Sequence, residues 1–570
     1  MTDTRSTHDE PSGGTTRLRP AVADALAAAG FALLAVASLQ HLWRADGWPI
    51  NHEYTTSAIR TLVYVRHFSW LDLLPIWSTA DSLGFGSPQP LLYHKLYSLV
   101  SGALASATGS VKVGLVSAIA IFLVTGATGM ASTLRALGAS RGAAFAAGCC
   151  LVAANYTVAN WLVRGAMAEF SAAMVMPWLL GFFVRTLQAG RVHLGLGVSL
   201  ALLWLAHSVL AFYAVLLLGA TFGLLAVVGA APWRVLSPRT AWPAVAACLL
   251  LMAPYLLPMA IIGPDYDLSL ILTYPYSPAH QFRPIGSYFW DHDFAFGQTW
   301  NRISARVDHP MLALLAAGAA GRYLDRRGSA GPWPNVRATL PFCLLLLLAG
   351  VLQLRIAAPF YERVPGAAFV QFPWRLMAFI TPALIVTAIH LADRGMPGGA
   401  GRVAVVGATI WMLDVSGAFV PLRYERLPMP TAVERTWFGH FGEYQPRGVP
   451  ARADLAPRVQ ALWEKNGCRV EHAPEHQEEG PDVRLDAHCA RGAMLPLPVY
   501  RSPLHMVAVT VGGRRGPAVP CLVVPDAPQL CCAAVPAAYS RISVAIPRLS
   551  AIPGWAWQRL RARIRRPAPG

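Results

Sequence analysis

The sequence predicts a polytopic α-helical membrane protein of about 11 transmembrane helices, followed by a small all-β domain on the outer side. Composition is the first observation: 55% of residues are hydrophobic, only 14% are charged, and the mean hydropathy is +0.42, values that exclude an ordinary soluble enzyme. Repeated apolar runs of about 20 residues, the length that crosses a bilayer, are the second. The third is the change after residue 421 to short β-prone runs separated by Gly and Pro. The net charge of +17 does not indicate nucleic acid. Its cations are nearly all Arg and lie scattered in short gaps between apolar runs, which is a signature of topology.

The polar amino terminus carries Arg17 and Arg19 directly before an apolar run too long for a signal-peptide core, so it reads as a retained signal anchor. Candidate crossings lie near 21–43, 112–134, 142–160, 170–187, 193–210, 211–230, 242–262, 308–323, 338–356, 374–392 and 403–421. With residues 1–20 as a cytoplasmic tail, the inner gaps are those of Arg135 and Arg141, Arg185 and Arg191, Arg234 and Arg239, Arg322 to Arg337, and Arg394 with Arg402. All of them are basic, as the positive-inside rule requires. The gap at His207 and Ser208 has no Lys or Arg and falls outside, as does "WLVRGAMAEFSAAM" (161–174). One further apolar segment, "PLLYHKLYSLVSGALASATG" (90–109), would invert every later gap if it crossed. It reads as a half-inserted or membrane-parallel helix with Lys95 and Tyr97 near the headgroups. The transmembrane domain then covers 21–421, with outer loops 44–111 and 263–307, and the β-rich domain with its basic tail covers 422–570.

Within the tail, "HMVAVTVGG" (505–513), "PCLVVPD" (520–526) and "YSRISVAIP" (539–547) read as strands. The end, "WAWQRLRARIRRPAPG" (555–570), suits either a membrane surface or plain solvation. Cys468, Cys489, Cys521, Cys531 and Cys532 fall here without a CxxC pair, which argues against zinc. In an oxidising compartment one or two disulfides can form with one thiol left over; reduced, unpaired cysteines are the alternative.

Chemistry is expected in the first outer loop, "RADGWPINHEYTTSAIRT" (44–61). Glu53 or Asp46, beside His52 and followed at helical distance by Arg60, could act as a general base while cations hold a leaving phosphate. The plainer account is a helix start capped by Asn51, with Glu53 at the positive end of its dipole. Arg164 and Glu169 lie five positions apart, roughly 140° around a helix, and are poor partners on one helical face. If Arg164 precedes a helix that Glu169 starts, both face the outer cavity; snorkelling and capping are the alternatives. His207 near a helix end is a packed histidine or a substrate contact. Asp291 and Asp293 flank His292 between aromatics and could hold a divalent cation, or form a solvated turn. In "QFPWR" (371–375), Arg375 either contacts a phosphate or snorkels. "GFGSP" (84–88) is a turn that lacks the context of a nucleotide loop.

The blocks "NHEYTTSAIR", "PIWSTADSLGFGSPQPLLYHKL", "LVRGAMAEFSAAMVMPWLL", "LAHSVLAFY", "VQFPWRLMAF" and "EYQPRGVP", in this order, resemble the bacterial and archaeal membrane family labelled 6-pyruvoyl-tetrahydropterin synthase-related. That family in turn is similar to membrane glycosyltransferases of the C-type fold. The resemblance implies transfer of a sugar from a polyprenyl-phosphate donor to a cell-envelope glycan or lipid acceptor, on the outer face of a bacterial cytoplasmic membrane. It implies the catalytic base at Glu53, with Asp46 second. Beside that base, substrate contacts are expected at His52, Arg60, Arg164, Glu169, His207 and Arg375 from their charge and position. The partners would be the bilayer, the lipid-linked sugar and its acceptor, with no nucleic acid and no certain cofactor. Two other classes stand beside this one: a transporter or flippase of lipid-linked glycans, and a non-catalytic scaffold whose β domain binds a partner.

Overall fold

The computed structural model describes residues 20–556, except 68–73, 80, 82–83, 232, 273–275, 292–303, 326–333, 397–398, 418–423, 426–443, 445, 448, 450–454, 472–482, 524 and 546. Asp293, the first 19 residues and most of the basic tail (557–570) lie outside the described residues.

Each of the eleven apolar runs coincides with a helix. In chain order the main helices are α1 (Pro20–Ser38), α2 (Tyr54–His67), α3 (Leu96–Thr108), α4 (Val111–Ala136), α5 (Arg141–Ala153), α6 (Met167–Ala189) and α7 (Leu194–Ala206). They continue with α8 (Ser208–Val227), α9 (Pro238–Ile262), α10 (His309–Asp325), α11 (Pro334–Leu352), α12 (Met377–Gly395) and α13 (Ala400–Gly417). By length and composition six described helices can cross a membrane, or up to eight if each bent pair is one span. The protein is thus a polytopic helical membrane protein. Leu33 on α1 and Leu250 on α9 are 73% and 76% exposed. Apolar surface of this kind is stable where lipid covers it.

Inside the bundle, close approach depends on small residues. A Cβ on Gly129 of α4 would sit 2.7 Å from the Trp178 ring of α6, and Trp178 Nε1 donates to the Thr125 carbonyl at 2.8 Å. At one end of the bundle Asp393 accepts from the Ser140 N–H at 2.9 Å and hydroxyl at 2.7 Å, holding the residue whose Oγ caps α5 by accepting the Ala143 N–H. Arg135, Arg185, Arg322 and Arg394 belong to this end: Arg135 donates to the Ala139 carbonyl, and Arg322 to that of Arg394. The 13-residue α3 rises only about 20 Å, too short for a full crossing. It packs on α2 and α4 at the opposite end of the bundle.

At that opposite end the first loop, the loop after α9 and the tail converge. Trp48–Pro49 (β1) pairs antiparallel with Tyr424–Glu425 (β2), and Tyr266 bridges Pro446. The tail is a small all-β domain with the helix α14 (Ala456–Lys465) and strands β3 (Arg469–Val470), β4 (Val483–His488), β5 (Met494–Tyr500), β6 (Met506–Val511), β7 (Arg514–Arg515), β8 (Val519–Pro520), β9 (Leu530–Ala534) and β10 (Tyr539–Ala545). One sheet runs β3-β4-β10-β6-β7 with β8 also on β6; the second pairs β5 with β9. Alternation puts Val483, Leu485 and Ala487 of β4 into a core shared with Ile542, Val544, Leu495, Leu497 and Ala533. Gly512 and Gly513, both at positive φ, make the turn after β6. Among the described residues of "PCLVVPD", Pro520 alone enters a strand, and Leu522 makes an isolated bridge to Cys532. Cys468 pairs with Cys489 and Cys521 with Cys531, leaving Cys532 as the buried odd thiol.

The domain sits on the first loop. Trp77 and Phe85 pack with Leu455, Val459, Tyr500 and Leu530. The Tyr500 N–H donates to the Phe85 carbonyl at 2.8 Å, and Trp77 meets the His505 ring edge-on at 4.6 Å. "GFGSP" forms the expected turn, in which Gly84 and Gly86 both donate to the Asp81 carbonyl.

Candidate active site

The break between α5 and α6 builds the site. After α5 the chain makes a short turn, Asn155–Val158, then a π-helical turn, Ala159–Arg164. Gly165, at φ 70°, reverses it, and α6 starts at Met167. Only a residue without Cβ suits this position, because a Cβ would lie 2.3 Å from Asn51 Oδ1. Asn51 does not cap α2: its Oδ1, the atom that would accept a helix N–H, is buried without a hydrogen bond. Its Nδ2 donates to the Leu162 carbonyl at 3.3 Å, while Ser57 Oγ donates to the Gly165 carbonyl at 3.1 Å. The reversal is therefore stitched to the first loop.

The reversal also corrects the expectation that Arg164 and Glu169 are poor partners. They lie on two helices, not one face, and Arg164 Nη1 is 2.7 Å from Glu169 Oε1. Arg375 Nε meets the other oxygen, Oε2, at 3.0 Å, and the Tyr156 hydroxyl lies 2.5 Å from Oε1. Glu169 is 2% exposed. One buried carboxylate thus serves two arginines, and the cluster keeps an excess of one positive charge. Arg164 also donates to Asn160 Oδ1 and stacks 4.5 Å from the centroid of Trp374. Arg375 Nη1 donates to the Val370 carbonyl and Gln371 Oε1, both at 3.0 Å.

Glu53 joins this cluster through its backbone, whose N–H donates to the Arg164 carbonyl at 2.9 Å. Its carboxylate is one-third exposed and lies 3.7 Å from Arg60 Nη1. Arg60 is stacked on Tyr93 at 3.6 Å. A water-sized cavity of about 10 Å³ lies between Arg60, Tyr93, His94 and Met167. Glu53 acts electrostatically on Arg164, and Arg164 and Arg375 on His207. His207 is buried, stacks on His94 at 3.9 Å and accepts the Leu210 N–H at 3.3 Å, so it serves as the cap of α8.

No family model matches the chain, the pterin synthase-related family included, and no curated protein matches it. Among solved structures it is similar to the arabinofuranosyltransferase AftD from Mycobacteria, at 18% identity and TM-score 0.41, over 70% of this chain and 28% of that one. It is similar to the oligosaccharyltransferase of Archaeoglobus fulgidus, at 12% identity and TM-score 0.41, over 72% and 56%. The third is the S. cerevisiae protein O-mannosyltransferase Pmt1-Pmt2 complex bound to the sugar donor, at 16% and 0.27, over 50% and 38%. The chain spans less than two thirds of the length of each. All three scores lie below 0.5, and the fold stands on the chain's own helices and strands.

Of the residues expected from sequence, Glu53, Arg60, Arg164, Glu169, His207 and Arg375 come together. His52 is half-buried beside Glu53 in the loop, whereas Asp46 is exposed. Asp291 lies 3.4 Å from Arg283, which in turn stacks 5.4 Å from Trp374 on the edge of the cluster. Among the described residues no three metal-ligating side chains gather, and Asp293 lies outside them. Sequence reading missed Tyr156, Asn160, Trp374 and Tyr93. Polar residues within apolar runs were the available signal for the first two.

Proposed function

We propose that the protein is a membrane glycosyltransferase that moves a sugar from a polyprenyl-phosphate donor to a cell-envelope glycan or lipid acceptor on the outer face of a bacterial cytoplasmic membrane. One observation carries the reading: the partly exposed Glu53 carboxylate is tied through its backbone to Arg164, in a buried cluster with one positive charge in excess. Base and phosphate-binding cations then have fixed relative positions. Glu53 takes the proton of the acceptor hydroxyl, and that oxygen attacks the anomeric carbon. The bond from that carbon to the phosphate oxygen breaks, and Arg164 and Arg375 stabilise the charge on the departing polyprenyl phosphate. Direct displacement inverts the anomeric configuration. The two disulfides support placement of the tail in an oxidising, extracytoplasmic compartment, and the basic opposite end supports a cytoplasmic amino terminus.

The test is turnover of purified protein in detergent with a polyprenyl-phosphate sugar and candidate acceptors, chosen from lipid-linked intermediates that accumulate in cells lacking the protein. Glu53→Gln is expected to lower turnover about 10²–10⁴-fold with donor binding nearly intact. A folded Glu53→Gln variant with wild-type turnover would move the base to Asp46. A flippase would translocate the lipid-linked sugar without forming a new glycosidic bond.

A further inference from the structure

A second cavity, of about 320 Å³, opens where α5, α10 and α13 meet, lined by Asn155, Arg306, Asp308, His309, Trp411 and Met412. This is the lower end of the size range of small-molecule sites. None of these side chains belongs to the Glu169 cluster. Asn155 is 3% exposed, and its Nδ2 faces two carbonyls, that of Arg306 at 3.1 Å and that of Ser304 at 3.4 Å. Those acceptors fix the orientation of the amide. Its Oδ1 is then the buried atom left without a hydrogen bond. An unmade bond of this kind costs about 1–3 kcal/mol, and a ligand hydroxyl would remove the cost.

The other walls have matching chemistry. Asp308 accepts the Asn155 N–H at 2.8 Å, and Arg306 acts on it electrostatically, so the two charges offset each other. His309 Nε2 lies 2.6 Å from the Phe289 carbonyl, which assigns the proton there and leaves Nδ1 as an acceptor in the neutral ring. Trp411, 47% exposed, and Met412 supply an apolar wall. A cavity whose described charges offset each other, with the acceptors of Asn155, Asp308 and His309, the donors of Arg306 and one indole face, suits a molecule with several hydroxyls and a C–H face. A lipid phosphate would need uncompensated positive charge, which this cavity lacks.

We propose that this cavity binds a neutral carbohydrate ring, with hydroxyls donating to Asn155 Oδ1 and the Asp308 carboxylate and one ring face on Trp411. The site stands apart from the transfer reaction, although Asn155 begins the turn whose next residue, Tyr156, touches Glu169.

Saturation-transfer NMR on the full chain in detergent tests it, with methyl glycosides of hexopyranoses and pentofuranoses as probes and phosphatidylglycerol as competitor. At least one glycoside is expected to receive saturation from the wild-type protein. Trp411→Ala should weaken binding tenfold or more with unchanged thermal unfolding, and Trp411→Phe should restore part of it. Saturation of no glycoside, equal binding by Trp411→Ala, or displacement of glycoside by phosphatidylglycerol at this site would each overturn the proposal. Because turnover is not read, a chain that binds glycosides but transfers no sugar would refute only the transferase reading.

Discussion

Arg164 accepts the Glu53 N–H through its carbonyl at 2.9 Å while its guanidinium lies 2.7 Å from Glu169. One residue thus connects the first loop to the charge cluster, and the two ends of the residue are separable by mutation. Arg164→Ala leaves the carbonyl in place and removes the cation. Because the donor phosphate is charged in the ground state as well, both donor affinity and turnover are expected to fall. Glu53→Gln should lower turnover alone. Donor-binding and initial-rate measurements on both variants check the contrast.

Among the described residues, Glu169 is the carboxylate in contact with both arginines. Glu169→Gln leaves the buried Arg164 and the half-buried Arg375 without their shared carboxylate and should destabilise the protein by about 3–5 kcal/mol. Removing Arg375 leaves Glu169 still paired with Arg164, so Arg375→Met should cost clearly less. Thermal unfolding of both variants in one detergent gives the comparison; equal losses would contradict it.

Gly165 is held at φ 70° with Asn51 against it. Gly165→Ala should lower stability by about 1–3 kcal/mol through backbone strain and displacement of Asn51. Turnover should fall further than stability does, because Glu53 moves with the Asn51 loop. A fully active Gly165→Ala protein would show that the reversal does not position Glu53.

His505 is buried, and desolvation holds its imidazole down at about 3, against 6.5 in the unfolded chain. Above pH 6.5 both states are neutral and the group has no effect. As pH falls from 6.5 towards 3, the unfolded chain gains a proton that the folded chain refuses, and stability drops by about 1.4 kcal/mol per pH unit. Protection factors of the amides in strands β5 and β6, corrected for the intrinsic pH dependence of exchange, should therefore fall on acidification. His505→Asn, whose Oδ1 can still accept the Ser502 N–H that Nδ1 now accepts at 3.0 Å, should flatten the dependence.

For the tail, a reporter fused after Pro450 should be active only outside the cytoplasm. Loss of the Cys468–Cys489 pair by Cys468→Ser with Cys489→Ser should destabilise the domain by about 2–4 kcal/mol, read by proteolysis of the full chain. A reporter active in the cytoplasm would reverse the assignment of sides.

Bilayer-length apolar runs were legible in the sequence because hydrophobicity is a local property, and so were the strands at 506–511 and 539–545 from their alternation. Glu53, Arg164, Glu169 and Arg375 stood out for the same reason, as charges isolated in apolar surroundings. Their pairing was not legible. It depends on a π-helical turn and Gly165 at positive φ, which place residues 164 and 169 on different helices, and on packing that brings in Arg375 from the 3-10 turn (Pro373–Leu376) ahead of α12. Pairing of β1 with β2, and of Trp77 with His505, likewise joins segments hundreds of residues apart. The sequence determined which segments are apolar enough for lipid and which residues are costly to bury. Tertiary structure alone decided which buried charges neutralise one another, because Coulomb energy depends on distance in space and that distance is set by how the helices pack.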